Sequence, residues 1–271
     1  MPILGIDYEK CNDCQICANA CSRYFRRDNE LNRMIFDDPQ NLCDSCGRCI
    51  ARCRSNAILF ENFGEFLTFE EVQDPSTIIS YEAMQKFMSA KRSIRGYKKK
   101  KVSKEVLQKV LRSMKYAPTG ANIRTLRCTI ISVDAQIKEL SNRVMDSIIA
   151  SSNPRYSENM RNARKSGLDT IFYSAPHVMI VHSNNPGDAM NSTIALTYGM
   201  LSAQTLGLAS CWIGLAHGVL TSNKEIRESI ARIRGKVWGV ITLGYPTQIY
   251  YQVPPRPDIK IKGLDELEQL Y

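Results

Sequence analysis

Apolar positions along the chain fall into short runs and helical stripes separated by polar connectors. Ile3 to Ile6 and Ala57 to Phe60 are brief apolar stretches that suit two small paired strands closing off the first segment. Phe60 through Phe66, interrupted by Glu61, Asn62, Gly64 and Glu65, predicts a hairpin or exit loop. From Glu70 to Ser80 the chain is polar and holds Pro75, which marks a linker. Tyr81 to Ser89 sets Met84, Phe87 and Met88 on one face of a short helix. Ser103 is placed to cap a second, amphipathic helix carrying Val106, Val110, Leu111 and Met114. Cys128 to Val133 is a β-branched run and predicts a strand; residues 135–150 and 154–168 suit helices, the latter with its cations on an exposed face. Val178 to Val181 predicts a short buried strand, and Val237 to Leu243 another, ended by Gly244, Tyr245 and Pro246. Between them, residues 188–206 predict a helix apolar nearly all round, with Ile194, Leu196, Tyr198, Met200, Leu201 and Leu206, and therefore central.

The cysteines divide this pattern in two. Eight of the ten lie within the first 53 of 271 residues, with only Cys128 and Cys211 beyond. That asymmetry predicts a metal-dependent module over residues 1–70, a linker over 71–80 and a conventional domain over 81–271. The eight form two copies of one spacing, C-x2-C-x2-C-x3-C: Cys11, Cys14, Cys17 and Cys21, then Cys43, Cys46, Cys49 and Cys53. Such a loop can put three thiolates on one iron-sulfur cubane while the fourth reaches the other cluster. Cys-x2-Cys pairs also build structural zinc sites, but two triplets with a trailing cysteine at the same offset are hard to explain that way. A disulfide framework fits less well, because residues 1–10 lack the features of a secretory signal. The doubled motif resembles the two-cluster bacterial ferredoxins. By that resemblance Cys11, Cys14, Cys17 and Cys53 hold one [4Fe-4S] cluster, and Cys43, Cys46, Cys49 and Cys21 the second.

The second domain opens on Lys91, Arg92, Ser93, Ile94 and Arg95. Three cations and a hydroxyl within five residues can grip a phosphate and a polarised ring, since Arg offers forked donors and Ser a rotating one. After the Ser103 helix comes Ala117, Pro118, Thr119, Gly120, Ala121 and Asn122. These two motifs together resemble the FMN-dependent nitroreductase family, and the likeness extends over roughly residues 82–258. It implies that Lys91, Arg92, Ser93 and Arg95 contact the FMN phosphate and pyrimidine edge, and that Pro118, Thr119 and Asn122 lie against the flavin. The stretch through Trp212, Ile213 and Gly214 corresponds to the one whose backbone passes the flavin ring, and Arg256 to a C-terminal basic residue reaching the phosphate. The family likeness further implies a homodimer with flavins at the interface, built around the helix of residues 188–206, and residues 257–271 crossing to the other subunit. Where many members continue with Gln-Pro-Trp, this chain has Arg124, Thr125 and Leu126. The expected fold class is thus α+β: a small ferredoxin-like domain followed by a nitroreductase-like α/β flavin domain, with a mixed sheet surrounded by helices.

The net charge of +9, with a run of lysines at 98–101, can steer an acidic partner or phosphorylated ligand or simply form a solvated loop. Arg23, Arg26, Arg27 and Arg33 between the cysteine motifs read as a solvated loop or a docking patch. No nucleic-acid-reading motif accompanies the charge, and no run approaches ~18 apolar residues, so neither a nucleic-acid partner nor a membrane span is expected. No G-x-G-x-x-G fingerprint is present, which argues against a Rossmann domain but leaves transient NAD(P)H binding open. His177, His182 and His217 have no metal spacing and read as structural; Cys128 reads as a buried hydrophobe.

Joining cofactors that move single electrons to a flavin that handles one or two makes a converter. The expected activity is a cytoplasmic oxidoreductase taking electrons from a ferredoxin-type donor or NAD(P)H, through two [4Fe-4S] clusters and FMN, to nitroaromatic, quinone or related conjugated acceptors. A redox relay or sensor serving a protein partner is the alternative.

Overall fold

A computed structural model of the chain describes residues 3–61, 64, 67–151 and 154–263. The first module runs β1 (Ile3–Ile6), α1 (Ile16–Ala20), β2 (Phe25–Asp28), β3 (Arg33–Phe36), α2 (Arg48–Arg52) and β4 (Ile58–Phe60). The two apolar stretches anticipated from sequence do pair, β1 antiparallel to β4. The hairpin of β2 and β3 lies between the cysteine motifs and was not legible beforehand. Its arginines brace it: Arg26 bonds Asp37 at 3.0 Å, Arg27 bonds Asn32, and the Arg33 guanidinium lies 3.9 Å from the centre of the Tyr8 ring. The core is small, with Ile3, Ile6, Phe25, Met34, Cys49, Ala57 and Ile58 buried together. Most of the expected hairpin at 60–66 falls outside the described residues, and the linker forms two exposed single-turn helices, Glu70–Gln73 and Pro75–Thr77.

The second domain runs α3 (Tyr81–Ser89), α4 (Lys104–Met114), β5 (Arg127–Ile131), α5 (Asp134–Ala150), α6 (Pro154–Lys165), β6 (His177–Ser183), α7 (Asp188–Thr205), β7 (Ala209–Trp212), α8 (Gly214–Ser222), α9 (Lys224–Ser229) and β8 (Lys236–Gly244). Ser80 and Ser103 cap α3 and α4, their hydroxyls accepting the Ala83 and Val106 N–H groups. The four strands lie in the order β5-β6-β8-β7. A mixed sheet is expected from the family resemblance, whereas every ladder described within this chain is antiparallel.

Strand alternation feeds two cores. Val178 and Ile180 join Val240 on the face covered by α5 and α8, while Met179, Val181, Ile241 and Leu243 meet α4 and α7 on the other. Helices α4 and α7 approach closely because Gly199 has no side chain; a Cβ there would stand 2.9 Å from Met114 Cγ. Helix α7 is central only on one side. Leu196 is fully buried, but Met190, Ile194 and Tyr198, one turn apart along the helix, are exposed. A second exposed apolar set, Ile249, Tyr250, Tyr251, Val253, Ile259 and Ile261, lies on the extended C-terminal arm. His177 is structural, as expected: its Nε2 accepts the Val102 N–H at 2.9 Å and its Nδ1 pairs with the Ser132 hydroxyl. Cys128 departs from its expected burial and is exposed, because β5 is an edge strand with one side open to a cleft.

Candidate functional site

The cysteine module repeats in its backbone as well as its spacing. Asp13 and Gln15 have φ of 52° and 61°, and Ser45 and Gly47, at the same places in the second motif, have 51° and 77°. Left-handed residues between ligands turn successive N–H groups inward, forming the concave nest that anionic iron-sulfur sites use. Carboxylates hold both loops: Asp13 accepts the Met34 N–H, and Asp38 accepts those of Leu42 and Cys43.

The trailing cysteines are exchanged between the two motifs. Cys11, Cys14, Cys17 and Cys53 line one pocket, with Ile6, Met34 and Ile58 as its apolar wall. Cys21 falls instead beside the second triplet. Burial raises the Cys43 thiol, and Asp38, Cys21 and Cys46 add repulsion in the same direction. At Cys46 burial is outweighed by the backbone N–H and guanidinium of Arg48, which hold the thiol below its ordinary value. In the first set the thiols surround a small volume. Four thiolates spread around a cavity are what a cubane requires.

The phosphate-type grip forms on the opposite part of the chain, where residues 91–95 pass the edge strand β7. The Ile94 N–H and Lys91 Nζ both donate to the Ser210 carbonyl, at 3.3 and 3.4 Å. Arg92 Nη1 is pinned by the carbonyls of Ser89 and Lys91, at 2.8 and 2.6 Å. Among the described residues its Nη2 is buried with no partner, and so is the nearby Ser210 hydroxyl. Burial pushes the Lys91 ammonium down, so an anion here would restore what desolvation removes. Ser93 and Arg95 are exposed, with the Arg95 guanidinium 5.7 Å from the Tyr173 ring centre. Buried donors without acceptors next to exposed ones fit a phosphate-bearing group.

Residues 212–214 carry the chain from β7 into α8. Ile213 is anchored by its N–H to the Val240 carbonyl at 2.8 Å, and a Cβ added to Gly214 would meet nothing within 4 Å. The backbone is thus open on that side for a flat ligand. Arg256 lies on the exposed arm, and its sequence-based assignment to the same site gains no described contact within one chain.

Pro118, Thr119 and Asn122 stand elsewhere. Their turn has left-handed Ala121 and Asn122, φ 48° and 51°, and is tied to the start of α7 by Gly120 N–H donating to Asn191 Oδ1 at 3.1 Å. The anchor beneath is Asp188, fully buried, which accepts the Thr125 hydroxyl at 2.6 Å and Asn191 Nδ2 at 2.9 Å. The turn leads into β5 beside the end of β6, whereas residues 91–95 pack on β7, across β8 and level with the start of β6. Three strand spacings and five residues separate these corners, roughly 20 Å. One chain therefore does not bring the two halves of the expected flavin site together.

The turn does meet the cysteine module. Asn122 Nδ2 donates to the Ser45 carbonyl at 2.6 Å, and Asp44, Cys46 and Arg48 share a cleft of about 730 Å³ with residues 114–119 and 121–124. Lys115, Arg124 and Arg127 add cations to Arg48 around it, against Asp44 as its one carboxylate among the described lining residues.

A model described as the nitroreductase family matches residues 88–245, more than half of the chain. The chain belongs to the nitroreductase family. A second model, a 4Fe-4S dicluster domain, matches residues 10–58 and takes in all eight motif cysteines. Among solved structures, an FMN-bound nitroreductase from Bacteroides fragilis is 25% identical with a TM-score of 0.57, covering 66% of this chain and 98% of its own. An FMN-bound nitroreductase from Desulfitobacterium hafniense is 19% identical at 0.56, covering 66% and 97%. A BluB-like flavoprotein from Clostridium difficile is 19% identical at 0.52, covering 66% and 99%. Comparison with curated proteins gives no match.

Two features of the nitroreductase domain had no sequence signal. Lys101, within the lysine run, is a staple: its Nζ bonds Asp134 and the carbonyls of Ser132 and Pro176. Asp188 is the other. Burial alone would raise its carboxyl, but hydroxyls of Ser183 and Thr125 and the Asn191 amide outweigh it and hold it below the usual range. The resulting stability is complete above the unfolded carboxylate pKa and is lost as pH falls through the lowered folded value. Asp188→Ala is expected to cost the domain about 2 kcal/mol or more at neutral pH by stranding these donors, and Asp188→Asn to flatten the acid limb, both read from thermal melts across pH.

Proposed function

We propose that the protein is an FMN-dependent, two-cluster iron-sulfur oxidoreductase, working as a homodimer, that reduces nitroaromatic, quinone or related conjugated acceptors. The observation that carries this reading is the junction at Asn122, where the turn expected against a flavin touches the second cysteine loop. When bound, FMN supplies hydride and single-electron chemistry and the [4Fe-4S] clusters single-electron chemistry, which suits one-electron entry and paired delivery.

The protein's part is to hold and tune. Lys91, Arg92 and Ser93 would take the FMN phosphate, with the unpartnered Nη2 of Arg92 as its buried donor. Gly214 and the adjoining backbone would pass the ring, and Arg95 would face its pyrimidine edge. Because the grip and the 118–122 turn lie at opposite corners of the sheet, a complete site needs the grip of one chain and the turn of another. The exposed stripe of Met190, Ile194 and Tyr198 supports such a pairing, and the apolar C-terminal arm supports an exchange of tails. The cationic cleft favours acceptors or donors carrying negative charge. Arg95→Ala is expected to weaken FMN and lower its midpoint potential, since a nearby cation stabilises the more negative reduced form; an unchanged midpoint in redox titration would refute the second effect.

The function is tested by anaerobic turnover of nitrofurazone or menadione with reduced ferredoxin, NADH or NADPH as donor. Sustained turnover with any of these supports an enzyme, and the effective donor identifies the entry point. A flavin that is reoxidised only by a protein partner would instead make the chain a relay.

A further inference from the structure

The two cysteine sets are inequivalent toward the rest of the chain. The pocket of Cys11, Cys14, Cys17 and Cys53 is lined by residues of the cysteine module alone. The other set presents Cys46, flanked by Asp44 and Arg48, as one wall of the cleft whose facing wall is the 118–124 turn. One side chain joins the walls. Asn122 Nδ2 donates to the carbonyls of Ser45 at 2.6 Å and Asp44 at 3.4 Å, while its Oδ1 accepts from Arg124 Nη2 at 3.3 Å. Both ends of the amide are thereby committed. Ser45 and Asn122 are both left-handed, φ 51°, so two tight turns meet tip to tip.

That meeting has a consequence for the dimer, and it rests on the shared flavin site proposed above. The turn docked on the Cys46 loop belongs to the corner of the sheet that a grip from the other chain must complete. We propose that Cys21, Cys43, Cys46 and Cys49 of each chain form an inner ligand set facing the flavin gripped by residues 91–95 of the partner, with Asn122 as the positioning residue that docks it there. The Cys11 set is then the outer one. Each cysteine module serves the flavin of the other subunit.

Mixed dimers separate this arrangement from service within one chain. Two chains with different tags are co-expressed and the mixed dimer is loaded with ring-13C-labelled FMN. In the first dimer one chain carries Lys91→Ala and Arg92→Ala, and its partner carries Cys49→Ser. A single flavin is held per dimer, by the chain lacking the inner cluster. Reducing the clusters with dithionite is expected to broaden its ring resonances severalfold, because the intact inner set lies on the opposite chain. In the second dimer all three substitutions lie on one chain, the partner is unaltered, and the lines are expected to stay sharp. The opposite pairing, sharp in the first and broad in the second, would overturn the proposal while leaving the dimeric flavin site standing. A monomer holding one FMN at sedimentation equilibrium would overturn both. Loss of folding in the Cys49→Ser module does not blur the result, since its inner set supplies no paramagnet whether the rest of that module folds or not. Asn122→Asp, which sets a carboxylate against two carbonyl oxygens, is expected to sharpen the lines of the otherwise unaltered dimer in excess FMN at full iron content. Unchanged broadening would remove Asn122 from the positioning role.

Discussion

Cys49→Ser is expected to strip about four irons from each chain and to unfold the module around it. Cys49 is the one motif cysteine that is buried, packed among Phe25, Met34 and Ile58 in a core of few residues. Burial pushes its thiol up to about 11. The free thiol is therefore protonated at neutral pH, and only metal binding draws the proton off. Serine keeps the size and loses the soft thiolate, leaving a hydroxyl whose burial without a partner costs roughly 1–3 kcal/mol. A module this small has little else to offset that loss. Iron analysis and far-ultraviolet circular dichroism read the two effects, and Cys128→Ser, at an exposed cysteine outside both sets, should retain full iron. Full iron in the Cys49 variant would contradict the ligand assignment.

Arg92→Ala is expected to weaken FMN retention by roughly ten- to a hundredfold, from the loss of a charge-assisted bond of about 1.5–3 kcal/mol. The guanidinium is held in place by two backbone carbonyls before any ligand arrives, so its second amino group presents a fixed, desolvated donor. Arg92→Lys keeps the charge but cannot hold both carbonyls and a phosphate in one planar fork, and is expected to recover only part of the affinity. Fluorescence titration of the apoprotein with FMN measures both. Equal affinity in all three proteins would remove Arg92 from the grip.

What could be read beforehand was local. The doubled cysteine spacing marked the eight cysteines, and the ferredoxin resemblance implied the crossing of Cys21 and Cys53; in the fold Cys53 lines the Cys11 pocket and Cys21 lies beside Cys43. Ser103 marked a helix start because a cap is a signal three residues long, whereas the matching cap at Ser80 went unread at the end of the polar linker. The β2–β3 hairpin escaped because Arg26, Arg27 and Arg33 mask its alternation, and the hydrogen bonds of Arg26 to Asp37 and of Arg27 to Asn32 form only on folding. Cys128 was misjudged because a β-branched run predicts a strand but not whether it lies at an edge. The bond from Asn122 to Ser45 spans 77 residues and two domains, and no periodicity or motif encodes such a contact. Motif resemblance named the two halves of the expected flavin site but could not place them at opposite corners of one sheet; that required the strand order.

The most direct test is the content of freshly purified protein prepared without oxygen: iron, acid-labile sulfide and FMN per chain, with the visible spectrum before and after reduction. About eight irons, about eight sulfides and one FMN, with both chromophores bleached by a single donor, is the result expected for two clusters joined to a flavin in one molecule. Zinc in place of iron, or a chain that holds no flavin at micromolar FMN, would contradict it.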